Sequence, residues 1–159
     1  MRNNLPLLII LLVLTAFSGF AQNKNLPDDL LSSDFHQERR EALRAKMPEN
    51  SVAVVFSNPV RNRANDVNYV YHQDPNFYYL TGHREPHSVL LLFKDKQRIN
   101  GQRTDELIIV RQRNALQELY DGARMGKEGA KTELGFSVAY EGTEFADLPI
   151  DFSKFDQVL

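Results

Sequence analysis

Three short apolar runs limit what this chain can become: residues 51–57 (SVAVVFS), 88–94 (SVLLLFK) and 106–112 (ELIIVRQ). Each is rich in β-branched or large apolar side chains and about one strand long, so each reads as a buried strand. Helical patterns lie between and around them, which makes the chain an α/β domain. Its 159 residues leave room for one domain with a single core. A formal charge of −2 gives no electrostatic reason to expect nucleic acid. The absence of cysteine excludes a disulfide framework, a thiolate nucleophile, a cysteine zinc site and a lipid anchor on an N-terminal cysteine.

Residues 1–21 are expected to be a cleaved signal peptide. Arg2 supplies the positive start and residues 5–14 (LPLLIILLVL) the apolar segment; Gly19 and Ala21 are the small residues at −3 and −1 of a cleavage site after Ala21. The apolar stretch is shorter than the roughly 20 residues a membrane span needs. The protein is therefore expected to be exported, to a periplasm or beyond, with no membrane attachment after cleavage. Residues 22–33 read as a polar leader, and the domain proper as residues 34–159.

A first helix is expected to start at Asp34 as N-cap, with Gln37 at the capping-box position, and to stop before Pro48. Phe35, Ala42, Leu43 and Met47 would form its apolar face, leaving Arg39, Arg40 and Arg44 mostly off it. Residues 62–68 read as a loop and residues 77–81 as a strand ended by Gly82. The run at 88–94 and the run at 106–112 read as strands joined by a hairpin around Gly101. Short helices are expected over 114–120 and 127–134, a strand over 136–140, and a helical turn over 143–148 stopped by Pro149. The tail from Asp151 carries no clear signal.

Residues 63–86 (RANDVNYVYHQDPNFYYLTGHREP) hold the densest mix of aromatic bulk and fixed polarity in the chain. Arg63, Asp66, Tyr69, Tyr71 and Gln73 offer a cation, an anion and phenols that could orient a peptide. They also suit a hydrogen-bonded network holding a loop against a sheet. The structural reading is preferred, because buried polar groups must be paired and such networks are common without catalysis. On that reading, removing the Asp66 carboxylate would leave buried donors unpaired. His83 and His87 stand four apart, a metal spacing on a helix, but Pro86 and Gly82 argue for two exposed loop histidines. His36 and His72 have no ligand-spaced neighbours. The sequence contains no Gly-x-Ser-x-Gly elbow and no Walker loop, and Gly122, Gly126 and Gly129 lack dinucleotide spacing.

Taken in order, Arg63, Asp66, Tyr69, Tyr71, Gln73, Phe77, Tyr79, Thr81, Gly82, Glu85, Pro86 and the apolar strand at 89–93 form a pattern that resembles the N-terminal domain of Xaa-Pro aminopeptidases (aminopeptidase P). The run from Glu118 through Tyr120 and Asp121-Gly122 to Arg124, then Gly126 and Leu134-Gly135, fits as well. The resemblance extends from about Phe35 to at least Phe136. It implies a mixed β-sheet flanked by helices, the creatinase/prolidase N-terminal type. It also implies a larger catalytic domain to follow, holding two manganese ions on aspartate, histidine and glutamate ligands. There a metal-bound hydroxide attacks the peptide bond before proline.

None of those ligands is recognisable here, so this chain alone is expected to bind no metal and to be inactive. The domain would shape substrate access and build a homo-oligomer, with its own catalytic domain and peptides carrying proline at the second position as partners. Tyr120, Arg124 and Asp66 are the candidates for substrate access or a subunit interface. At Tyr120 the family usually has a tryptophan that reaches toward the active site of a neighbouring subunit. The alternative is a stand-alone secreted binding or oligomerisation module without catalysis.

Overall fold

The computed structural model of the chain describes residues 30–159. The expected signal peptide and most of the leader lie outside them. The chain divides into two units, Met1–Leu30 and Leu31–Leu159, and the fold is that of the second.

Helix α1, Ser33–Lys46, is capped by Ser32, whose hydroxyl accepts from the Phe35 amide at 3.3 Å. The expected cap at Asp34 is thus displaced by two residues, and Gln37 instead bonds Glu41 one turn on. Strand β1, Ser51–Phe56, follows. The segment read as a loop at 62–68 is a small exposed hairpin, β2 (Asn62–Ala64) and β3 (Val67–Asn68). The Asn62 side chain braces its turn, donating to the Asn65 carbonyl at 2.9 Å.

Residues 77–81, expected as a strand, are helical. Helix α2 is Pro75–Thr81, and the reason is local. Asp74 accepts from the amides of Asn76 and Phe77, both at 2.9 Å, Pro75 supplies the preset φ of a first helical position, and Gly82 closes the helix at φ 70. Start and stop signals at both ends outweigh the β propensity of Phe77, Tyr78, Tyr79 and Thr81.

The long hairpin β4 (Val89–Ile99) and β5 (Gln102–Val110) turns on Asn100 and Gly101, both at positive φ as a tight hairpin turn requires. Helices α3 (Ala115–Asp121) and α4 (Gly126–Leu134) and strand β6 (Ala139–Glu141) follow. Two 3₁₀ turns, Gly142–Asp147 and Phe152–Lys154, lead to a short last strand, β7 (Gln157–Val158).

The main sheet has the order β6-β5-β4-β1-β7. It is mixed: β4 is antiparallel to both β1 and β5, whereas β6 and β7 run parallel to their neighbours. Successive side chains of a strand point to opposite faces, and this alternation separates two cores. Leu90, Leu92, Ile108 and Val110 meet Phe77, Leu80, Leu134 and Phe136 of the helical side. Leu91, Phe93, Leu107 and Ile109 meet Leu148, Phe152 and Phe155 of the tail. Phe152 and Phe155, from the tail that gave no sequence signal, therefore pack on this second face of the sheet.

The inward residues of α1 and its C-cap are His36, Arg40, Leu43 and Met47, at offsets 0, 4, 7 and 11. Ala42 is exposed, and Arg40, expected off the face, is fully buried.

Candidate functional site

At one end of the sheet β1 and β5 finish and β4 begins, as the register Phe56–Val89–Ile109 shows. The segments leaving this end carry the residues singled out from the sequence.

Gln73 is the one member of the expected network that works as a hub. Its amide nitrogen donates to the carbonyls of His83 (3.1 Å) and Glu85 (3.0 Å), and its oxygen accepts from the amides of Asn58 (3.2 Å) and Asp74 (2.8 Å). It ties the exit of β1 to the start of α2 and to the 83–86 loop. Around it, His83 is buried with Nε2 3.0 Å from the Ser88 hydroxyl, and Ser57 Oγ accepts from the Ser88 amide at 2.6 Å. Burial, with the Arg111 guanidinium nearby, pushes His83 down to about 4, so the ring is neutral at pH 7. The expectation of an exposed His83 is corrected: Pro86 and the buried Ser88 fold its loop inward. His87 and His72 are exposed. Glu85 accepts from the Met125 amide at 2.6 Å and from Arg111 at 3.3 Å, which fixes the entry to α4.

The rest of the expected network does not form. Arg63, Asp66 and Tyr69 are exposed on the β2–β3 hairpin and the segment leaving it. Neither Arg63 nor Asp66 has a side-chain hydrogen bond or ion pair among the described residues. An exposed carboxylate leaves no buried donor behind, so the stability cost expected for losing Asp66 does not follow. Tyr69 and Tyr71, with Arg61 and His72, line an open cleft. The Tyr71 hydroxyl is enclosed beside Ser57, and burial pushes its pKa up.

Helix α3 is different in kind: none of its residues is buried. Leu116, Leu119 and Tyr120 are 67%, 80% and 84% exposed and share one helical face. Polar bonds hold this ridge out. Asn114 caps the helix, accepting from the Gln117 amide at 3.0 Å. Glu118 returns to accept from the Asn114 amide (3.0 Å) and from Arg113 Nε (3.2 Å) and Nη2 (2.9 Å). Arg124 donates to the Gln112 carbonyl at 3.1 Å and to Asp121 at 3.0 Å, closing the segment on itself. Tyr120 therefore does not cap the core, and Arg124 acts as its brace.

The Arg113 side chain beside Glu118 holds that carboxyl down at about 2. A depressed carboxylate pKa means the brace is complete above the ordinary value of 4.5 and is lost as pH falls through about 2. A ¹³C titration of the Glu118 carboxyl should show a midpoint near 2, rising in Arg113→Gln; a native midpoint near 4.5 would contradict the brace.

Among the described residues no group of three or more His, Cys, Asp or Glu is placed to hold a metal. No described helix is long and apolar enough to cross a membrane.

The described residues thus combine a mixed sheet, an internal polar hub around Gln73 and an exposed, braced helix α3. The chain belongs to the family described as aminopeptidase P, N-terminal domain, which matches residues 36–154. It is 38% identical over 116 residues to a Xaa-Pro aminopeptidase of Haemophilus influenzae, covering 73% of this chain and 26% of that protein. It is 38% identical over 114 residues to Xaa-Pro aminopeptidase 3 of Dictyostelium discoideum, covering 72% of this chain and 21% of that one. Aminopeptidase P from Escherichia coli superposes with a TM-score of 0.64 at 31% identity, over 74% of this chain and 26% of that chain. The chain thus spans about a quarter of the length of the relatives it matches.

Proposed function

We propose that this chain is the non-catalytic N-terminal domain of an exported Xaa-Pro aminopeptidase, an enzyme that removes the N-terminal residue from peptides with proline at the second position. In the longer protein, two manganese ions would sit in a catalytic domain that follows, and this domain would shape substrate access and build the homo-oligomer. Family membership and the relatives' names support the activity; Arg2, the apolar segment at 5–14 and Ala21 support export.

The observation that carries the access role is the ridge of α3. A short helix cannot hold leucines and a tyrosine in water by its own apolar packing, and here charged and polar bonds do so. Exposed apolar groups on a rigid support are what a partner surface recognises. The tyrosine at 120 keeps the flat aromatic face of the family's usual tryptophan and adds a hydroxyl.

The test is Tyr120→Ala in the longer protein. Its ring is 84% exposed, so stability should change by less than about 0.5 kcal/mol. kcat/KM for Xaa-Pro peptides should fall about tenfold, equivalent to ~1.4 kcal/mol of lost transition-state contact. Unchanged kinetics in a stable, correctly assembled variant would remove Tyr120 from the site.

A further inference from the structure

Strand β1 is paired along its whole length on one side and only in part on the other. β4 matches it from Val52–Phe93 to Phe56–Val89. β7 matches only its start, Ser51 with Gln157 and Val52 with Val158. Leu159 adds one rung, donating its amide to the Val52 carbonyl and accepting from the Val54 amide, both at 2.9 Å.

Amides alternate along a strand. Ser57 donates toward β4, to the Ser88 carbonyl at 2.9 Å, while Val54 donates toward Leu159. The Phe56 amide and the Val54 carbonyl therefore face the β7 side. Among the described residues nothing bonds to either there. The Phe56 ring beside them is 63% exposed. An open strand edge next to an exposed aromatic ring is a template for one more stretch of chain.

Direction and length choose the occupant. β7 is parallel to β1, so the chain at Leu159 is heading toward Phe56. The matched family is an N-terminal domain, and relatives extend well past the matched part. A single ladder period beyond Leu159 brings the chain level with the open groups.

We infer that the residues directly after Leu159 in the longer protein continue β7 along β1 and cover Phe56. This rests on the reading of the chain as the first domain of a longer enzyme. The second residue after Leu159 donates to the Val54 carbonyl and accepts from the Phe56 amide. The third stands beside Phe56 and is apolar. The inter-domain connection is then a strand of this sheet rather than a free linker, and it fixes the direction in which the next domain leaves.

Amide hydrogen exchange tests this, comparing the chain ending at Leu159 with the longer protein. The Phe56 amide should exchange at least about tenfold more slowly in the longer protein, while Val55, bonded to β4, is protected in both. Proline placed at the second residue after Leu159 loses the donor to the Val54 carbonyl and so weakens the pairing, which should speed exchange at Phe56 and leave Val55 protected. Equal Phe56 exchange in the two proteins would overturn the inference, even if the longer protein is a competent peptidase. Protection that appears in the shorter chain only on raising its concentration would assign the edge to a second copy and overturn it too. A reading frame that stops after Leu159 would overturn both the inference and the reading beneath it.

Discussion

Arg40→Ala is expected to lower the free energy of unfolding by about 3–5 kcal/mol, the range for breaking a buried ion pair from one side. Arg40 is fully buried and uses its whole fork. Nε and Nη2 bind the two oxygens of Glu106 at 3.0 and 2.9 Å, and Nη1 donates to the Leu80 carbonyl at 2.9 Å. Its guanidinium carbon lies 4.1 Å from the centre of the Phe136 ring. One side chain thus joins α1, α2, β5 and the second residue after α4. Alanine would leave Glu106 with Arg44 alone, at 2.7 Å, and would orphan the Leu80 carbonyl. Arg40→Lys keeps the charge but loses the two-pronged geometry, so it should fall between wild type and alanine. Denaturant melts measure this, and an unchanged midpoint in the alanine variant would contradict the buried pair.

Gly82→Ala should cost about 2–4 kcal/mol, from a strained backbone and a steric clash together. Gly82 sits at φ 70, where a Cβ is disfavoured, and that Cβ would lie 2.7 Å from His36 Cδ2. The imidazole cannot easily give way: it is 2% exposed and its Nδ1 is 2.9 Å from the Tyr79 carbonyl. Gly135→Ala is the matching control. Its φ is 75, but an added Cβ would meet Ser33 only at 3.5 Å, an ordinary contact. It should carry the backbone strain alone, roughly 1 kcal/mol. Thermal melts of the two variants that coincide would show that the His36 contact yields freely.

The central strands were legible because burial on both faces leaves unbroken apolar runs, and 88–94 and 106–112 became β4 and β5. Caps were less so. Asp74-Pro75 and Gly82 are start and stop signals of a helix, but the aromatic, β-favouring residues between them point the other way. Arg40 was hidden for another reason: a charge counts against an apolar face until its partner is known, and Glu106 lies 66 positions away. The spacing of His36, Arg40, Leu43 and Met47 was the signal that could have found it. β7 has no pattern of its own, since two residues become a strand only by lying beside β1.

The candidate site divides in the same way. Leu116, Leu119 and Tyr120 have the spacing of a core-facing stripe, and only the fold shows that they stand exposed. The cluster around Arg63 and Asp66 has the composition of a buried network. It is exposed because the turn at Asn65 folds that segment into a hairpin of its own.

Peptidase activity of the chain ending at Leu159, measured beside that of the longer protein, is the decisive measurement. Both are assayed on an Xaa-Pro peptide with added manganese. Only the longer protein should turn the peptide over, and a chelator should abolish that turnover. Chelator-sensitive turnover by the chain ending at Leu159, or none by a folded longer protein, would contradict the proposed function.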